Sequence, residues 1–231
     1  MVTEPVSEDT GKPPETTRQY PTLAFVVRKS VERLQSDYLS ENEARCSRAK
    51  AILAELRHGI STKSGRYLFA WQSAFEQLFA DRFDQIFGEE KAIKEKSFHD
   101  ITASEKAAYE ALSLFACHMQ SRKKPMHAQN QTIARAAGIL MARRESASLK
   151  VRFNQILSSR TDEIRLTHLH GLISLLRSEE IPCDYGQLAA DLAALRDPRK
   201  KERILLTWAR DFSYGLNSHL HDSQETSTTE N

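Results

Sequence analysis

Apolar residues recur along this chain at three- and four-residue intervals rather than in strict alternation, the spacing of helices that bury one face. Leu23, Phe25, Val26, Val31 and Leu34 predict a first helix from Leu23 to about Leu39. Ser40 followed by Glu43 has the spacing of a capping box, and Ala44, Ala51, Leu53 and Leu56 carry a second helix to a stop at Gly59. After a loop over 61–66, Leu68, Trp71, Phe75, Leu78, Phe79 and Phe83 keep the same rhythm to near Gly88, and a charged connector follows.

The second half repeats the theme. Thr102 with Glu105 is another capping box, opening a helix whose inward stripe is Ala108, Leu112, Phe115, Ala116 and Met119. A basic loop with Pro125 then blocks simple continuation and predicts a boundary between two helical units. Beyond it, Ile133, Ala137, Leu140 and Met141 predict one helix, and Leu149, Phe153, Ile156 and Leu157 the next. Ile164, Leu169, Leu172, Ile173 and Leu176 form a long one, and Leu188, Leu192 and Leu195 a short one. Asp197 before Pro198 is a cap followed by a first-turn proline, starting a last helix through Ile204, Leu205, Trp208 and Phe212. The fold class is all-α, about eight to nine helices, with no strand and no internal repeat.

Composition sharpens this picture. In 231 residues there are only 8 glycines and 7 prolines, too few for a β-rich fold full of tight turns. Residues 1–20 and 219–231 are polar, acidic and nearly free of large apolar side chains, so both ends read as disordered tails flanking helical units over 21–121 and 122–218. Three cysteines without paired spacing, Cys46, Cys117 and Cys183, indicate neither a disulfide framework nor a zinc ribbon. With no basic-then-apolar leader and no apolar run of membrane length, a cytoplasmic protein is expected.

The net charge of +2 conceals a local excess. Residues 122–160 hold nine lysines and arginines against the single acid Glu145, which suggests a polyanionic partner. A helical adaptor whose basic surface meets an acidic protein is the competing reading; single-stranded DNA binding that falls steeply with salt separates the two. Arg135 and Arg143, eight positions apart, lie on roughly one helical face.

Enzyme chemistry finds no support in the motifs. His168 and His170 are two apart on a helix and point to different faces, so they cannot close on one ion, and no metal or cofactor is expected. Cys117 falls among Phe115 and Ala116 on an apolar face, where a thiol behaves as a small hydrophobe. There is no nucleophile elbow, phosphate-binding loop or dinucleotide fingerprint. Trp71 and Trp208 could stack on bases, but both sit at core positions of their helices.

The stretch AAYEALSLFACHMQSRKKPMHAQNQTIARAAGILMARR, followed by VRFNQILSS, HLHGLISLLRSEEIPCDYGQLAADL and WARDF, resembles the CasB family, the small subunit of the type I-E CRISPR surveillance complex Cascade. The likeness spans about residues 103–214, with looser similarity at AILAELRHG and around Trp71. It departs from the family at His58, where a second arginine is usual after Arg57, and at Ala134, where a glycine is usual before Arg135. The resemblance implies two helical bundles and a non-catalytic subunit present in two copies beside the backbone and large subunits. It also implies contacts to crRNA, target DNA and the displaced single strand that stabilise the R-loop. Joined to the charge count, it marks Arg57, Arg122, Lys123, Lys124, Arg135, Arg143, Arg144, Lys150, Arg152, Arg160, Lys200 and Lys201 as candidate phosphate contacts, with Arg135 and Arg152 inside the matched motifs.

Overall fold

The computed structural model describes residues 22–61, 78 and 102–228, without the side chains of 59–61 and 219–228. Eight helices lie among the described residues: α1 (Leu23–Tyr38), α2 (Glu43–Ser61), α3 (Ala103–Met119), α4 (Ile133–Arg144), α5 (Ala147–Leu157), α6 (Asp162–Ser178), α7 (Tyr185–Leu195) and α8 (Pro198–Thr228). The chain is all-α, as the periodicity predicts. The aromatic helix expected near 66–88, the connector after it and the first twenty residues lie outside the described residues; Leu78 is described, and it packs against the core. The backbone of α8 continues past residue 218, where composition predicts the start of a tail.

Most helix starts follow from local chemistry. The Thr22 hydroxyl accepts from the Phe25 amide and caps α1. The Thr102–Glu105 capping box is complete, with the Glu105 carboxylate 2.6 Å from the Thr102 amide and the Thr102 hydroxyl 3.1 Å from the Glu105 amide. The start of α2 differs from the expectation. Asn42 rather than Ser40 is its cap, accepting from the Arg45 amide at 3.1 Å, while the Ser40 hydroxyl accepts from the Asn42 amide in a local turn. Asn42 stands directly before Glu43, so its carboxamide oxygen reaches the open first turn more easily. Nor does Gly59 stop α2, which runs to Ser61; one helical glycine costs only about 1 kcal/mol.

Helix α3 is the axis of the fold, with every residue from Ala107 to Met119 buried. Among the described residues the other helices form two groups around it. Helices α1, α2 and α7 pack with α3, whereas α4, α5, α6 and α8 pack among themselves, joined to the first group through α3 against α6 and α7 against α8. Helix α7 therefore follows residue 122 in sequence but lies with the N-terminal helices. One continuous hydrophobic core runs through both groups.

Asp184 holds α7 in that position. It is 1% exposed, caps α7 by accepting from the Gln187 amide, accepts from the Asn130 amide of the 120–132 loop, and pairs with Arg28 of α1 at 2.9 Å. Burial pushes its carboxyl up, but the two amides and the Arg28 guanidinium outweigh burial and hold it below the ordinary aspartate value. The loop is pinned a second time by Gln35, whose side-chain oxygen accepts from the amides of Met126 and His127 at 2.9 and 2.8 Å. Gly186 permits the contact, since a β-carbon there would lie 2.4 Å from the Ala24 carbonyl oxygen.

Two further polar junctions lock the groups together. Arg196, after α7, brings one guanidinium nitrogen to both carboxylate oxygens of Glu110 of α3, at 2.7 and 2.8 Å, and its Nε reaches Asp162 of α6 at 3.2 Å. Trp208 of α8 donates its indole N–H to Asp191 of α7 at 2.6 Å, and Gln187 supplies the other oxygen of that carboxylate with a donor at 2.8 Å. Helices α4 and α8 approach backbone to backbone: a β-carbon on Gly138 would lie 2.1 Å from the Phe212 carbonyl oxygen, and one on Gly215 would lie 2.1 Å from that of Arg135.

Asp184→Ala strips α7 of its cap and leaves the half-buried Arg28 without a counter-charge, an expected loss of about 3–5 kcal/mol by urea denaturation. Asp184→Asn, whose single carboxamide oxygen can still accept from the Gln187 amide and so keeps the cap of α7, should lose less. Equal, small effects of both variants would contradict the role assigned to this carboxylate.

Buried imidazoles add a pH dependence. His118 contacts the Tyr185 hydroxyl at 2.7 Å through Nδ1, and burial, helped by the nearby Arg177 and Arg122 charges, pushes its pKa down to about 3. Burial lowers His127 as well, against the opposing pull of Asp184. An unfolded histidine titrates near 6.5, so the neutral-imidazole contribution is complete above that pH and is lost as pH falls below it, at up to about 1.4 kcal/mol per unit, for His118 over a window reaching down to about 3. Glu110 and Asp191, whose carboxyls burial raises, act with the opposite sign in the same window. The decisive quantity is therefore a difference: between about pH 6 and pH 4.5, His118→Gln should lose stability less steeply than the wild type, and parallel curves would refute the assignment.

Candidate nucleic-acid interface

The structure sorts the twelve candidate cations into three sets. Four converge on the C-terminal end of α6, where Glu179 and Glu180 follow its last turn. Lys124 pairs with Glu180 at 2.7 Å and Arg122 with the same carboxylate at 3.7 Å. Arg144 meets the Glu179 carboxylate at 2.8 Å and the Ser178 hydroxyl at 2.9 Å, and Arg143 donates to the Glu179 backbone carbonyl at 3.3 Å. The ends of α3, α4 and α6 are tied here by pairs whose charge is already partly compensated. Lys124 and Arg122 in turn hold the Glu180 carboxyl below its ordinary value, first through the Lys124 hydrogen bond.

A second set is engaged in other ways. Arg57 donates to the Ala116 carbonyl at 3.3 Å, and Arg177, which the charge pattern did not single out, donates to the Cys117 carbonyl at 3.2 Å. Both satisfy carbonyls in the last turn of α3, where cations are also favoured by the helix dipole. Lys200 pairs with Asp197 one turn away at 3.6 Å. Arg135 is half-buried and lies with its guanidinium carbon 4.3 Å from the centre of the Tyr214 ring. Arg135 and Arg143 thus sit on one helix but serve different neighbours, the first α8 and the second α6.

The third set has no ion-pair partner among the described residues: Lys123, Lys150, Arg152 and Arg160, all exposed, and Lys201, half-buried. Lys150 and Arg152 project from α5, and no acid occurs between Glu145 and Asp162. Sequence reasoning passed over Arg203 and Arg210 on α8, both exposed and likewise unpaired among the described residues. Their spacing of seven residues, two turns, was the available signal.

Of the three cysteines, Cys117 and Cys183 lie in the core, whereas Cys46 is half-buried. Burial raises the Cys117 thiol and pushes the fully buried Cys183 up to about 12, so neither is a thiolate near neutral pH. Trp208 is fully buried, as its helical position predicts; Trp71 lies outside the described residues. Among the described residues no helix is long and apolar enough to cross a membrane.

An all-helical protein with a polar-locked core and a helix whose cations have no carboxylate partner among the described residues is the class these features define. A family model described as CRISPR-associated protein Cse2 matches residues 52–212. The chain is similar to the crystal structure of CasB from Thermobifida fusca, with a TM-score of 0.62 and 28% identity over 83% of this chain and 97% of that one. CasB from Thermus thermophilus shares the fold at a TM-score of 0.52 and 21% identity, covering 84% and 99% of the two chains. A search of curated proteins finds no match. The chain belongs to the Cse2, or CasB, family of CRISPR-associated proteins, which indicates a small subunit of a Cascade complex.

Proposed function

We propose that this protein is a non-catalytic small subunit that binds nucleic-acid backbone within a type I-E Cascade complex and stabilises the R-loop. In this reading it assembles beside the backbone and large subunits with a second copy of itself. Its exposed cations contact the crRNA–target duplex and the displaced strand. The observation that carries the reading is the surface of α5, where Lys150 and Arg152 face solvent with no carboxylate partner among the described residues and no acid in the helix.

The energetics favour such a role. Exchanging a DNA duplex for an RNA–DNA heteroduplex is nearly balanced, so contacts to the phosphates of the liberated strand can tip it toward opening. Unpaired cations suit that task better than paired ones, because a phosphate arriving at Arg144 or Lys124 must first displace Glu179 or Glu180. The expected contacts are sequence-tolerant and release counterions, so affinity falls with salt.

In fluorescence anisotropy with single-stranded DNA across a salt series, Lys150→Glu with Arg152→Glu should weaken binding. It should also flatten the slope of log affinity against log salt by about 1.4, at about 0.7 for each phosphate that is no longer neutralised. Binding that ignores salt in the wild type, or an unchanged slope in the variant, would contradict the proposal; the first result would favour an acidic protein as the partner.

A further inference from the structure

The outer side of α8 carries a row that the charge count alone does not reveal. Arg199, Arg203, Leu206, Arg210 and Tyr214 are all exposed, and their spacing of four, three, four and four keeps them on one stripe of the helix. At 1.5 Å per residue the row is about 22 Å long. None of its three arginines has an ion-pair partner among the described residues. At its end Tyr214 is 57% exposed.

Tyr214 is braced rather than merely left in solvent. Gly215 brings α8 onto the Arg135 carbonyl with no room for a β-carbon, which sets the two side chains against each other. The Arg135 guanidinium lies over the ring with its carbon 4.3 Å from the centroid, and its Nε is buried without a hydrogen-bond partner. A guanidinium held on one face of the ring limits its motion, while the exposure of Tyr214 leaves area for a second flat group. A row of unpaired cations leading to an open, braced aromatic is the pattern that binds a single strand, with cations on phosphates and a ring under a base.

We propose that Tyr214, braced by Arg135, seats an unpaired base of single-stranded nucleic acid whose phosphates run along Arg199, Arg203 and Arg210 of α8. This inference rests on the nucleic-acid reading above and adds to it a second tract and a base-stacking contact. A second copy of this chain is the rival occupant, since Leu206 and Tyr214 could also pack against protein. Charge decides between them: three unpaired arginines facing their own copies would repel, whereas a strand neutralises them.

The test uses the full chain and two probes of equal length, an oligothymidylate and an abasic sugar-phosphate strand. Tyr214→Ala should weaken oligothymidylate binding about tenfold and leave abasic binding unchanged, while Tyr214→Phe keeps both within about twofold. Arg203→Gln with Arg210→Gln should weaken both probes. If Tyr214→Ala weakens both probes equally, or neither, the stacking seat is wrong even though salt-dependent binding of the abasic strand upholds the broader reading. If it instead changes the association state in sedimentation without altering the difference between probes, the row is a contact between copies and the proposal fails. Wild-type protein that binds neither probe would overturn the broader reading and this one with it.

Discussion

A single buried carboxylate, Asp184, determines how the chain closes on itself. After α6 the chain must return from the C-terminal group to lay α7 against α1 and α3, and it does so with a residue 1% exposed that accepts from two amides and a guanidinium. Each donor belongs to a different segment: α1, the 120–132 loop and the first turn of α7. An isolated charge so deeply buried would be strongly unfavourable, and its three donors are what make the position tolerable. Because α7 then presents Asp191 to Trp208 and leads into Arg196, which grips Glu110 and Asp162, the placements of α6 and α8 follow from the same junction.

Closing the fold with ions has a consequence for the surface. Arg28, Arg165 and Arg196 are largely internal, and Glu179 and Glu180 hold the cations at the end of α6. Among the exposed cations without an ion-pair partner among the described residues are Lys150 and Arg152 on α5 and Arg199, Arg203 and Arg210 on α8. A protein whose net charge is only +2 can therefore present strongly cationic tracts, since its acids are engaged elsewhere or lie on other faces.

Periodicity revealed the helices because burial of one face repeats at the helical period, and caps such as Thr22 and Thr102 act within one turn. Where two local acceptors compete, as Ser40 and Asn42 do, sequence spacing alone chose the wrong one. The location of α7 was not legible, because it depends on Arg28, which is 156 residues away from Asp184. The same limit applies to the cations. A basic run shows that positive charge is present, but whether Lys124 is free depends on Glu180, 56 positions later. Tyr214 escaped notice for a related reason: it lies two residues from the buried Phe212, and only the Gly138–Gly215 crossing shows which side of α8 faces α4.

Reconstitution of Cascade from its other subunits, with and without this chain, tests the account most directly. The measurement is opening of the displaced strand on a matched target at moderate salt, read by the reactivity of its unpaired thymines. The account predicts that opening falls without the chain and returns when the wild-type protein is added. Equal opening in its absence would show that the family fold is present without the function assigned to it.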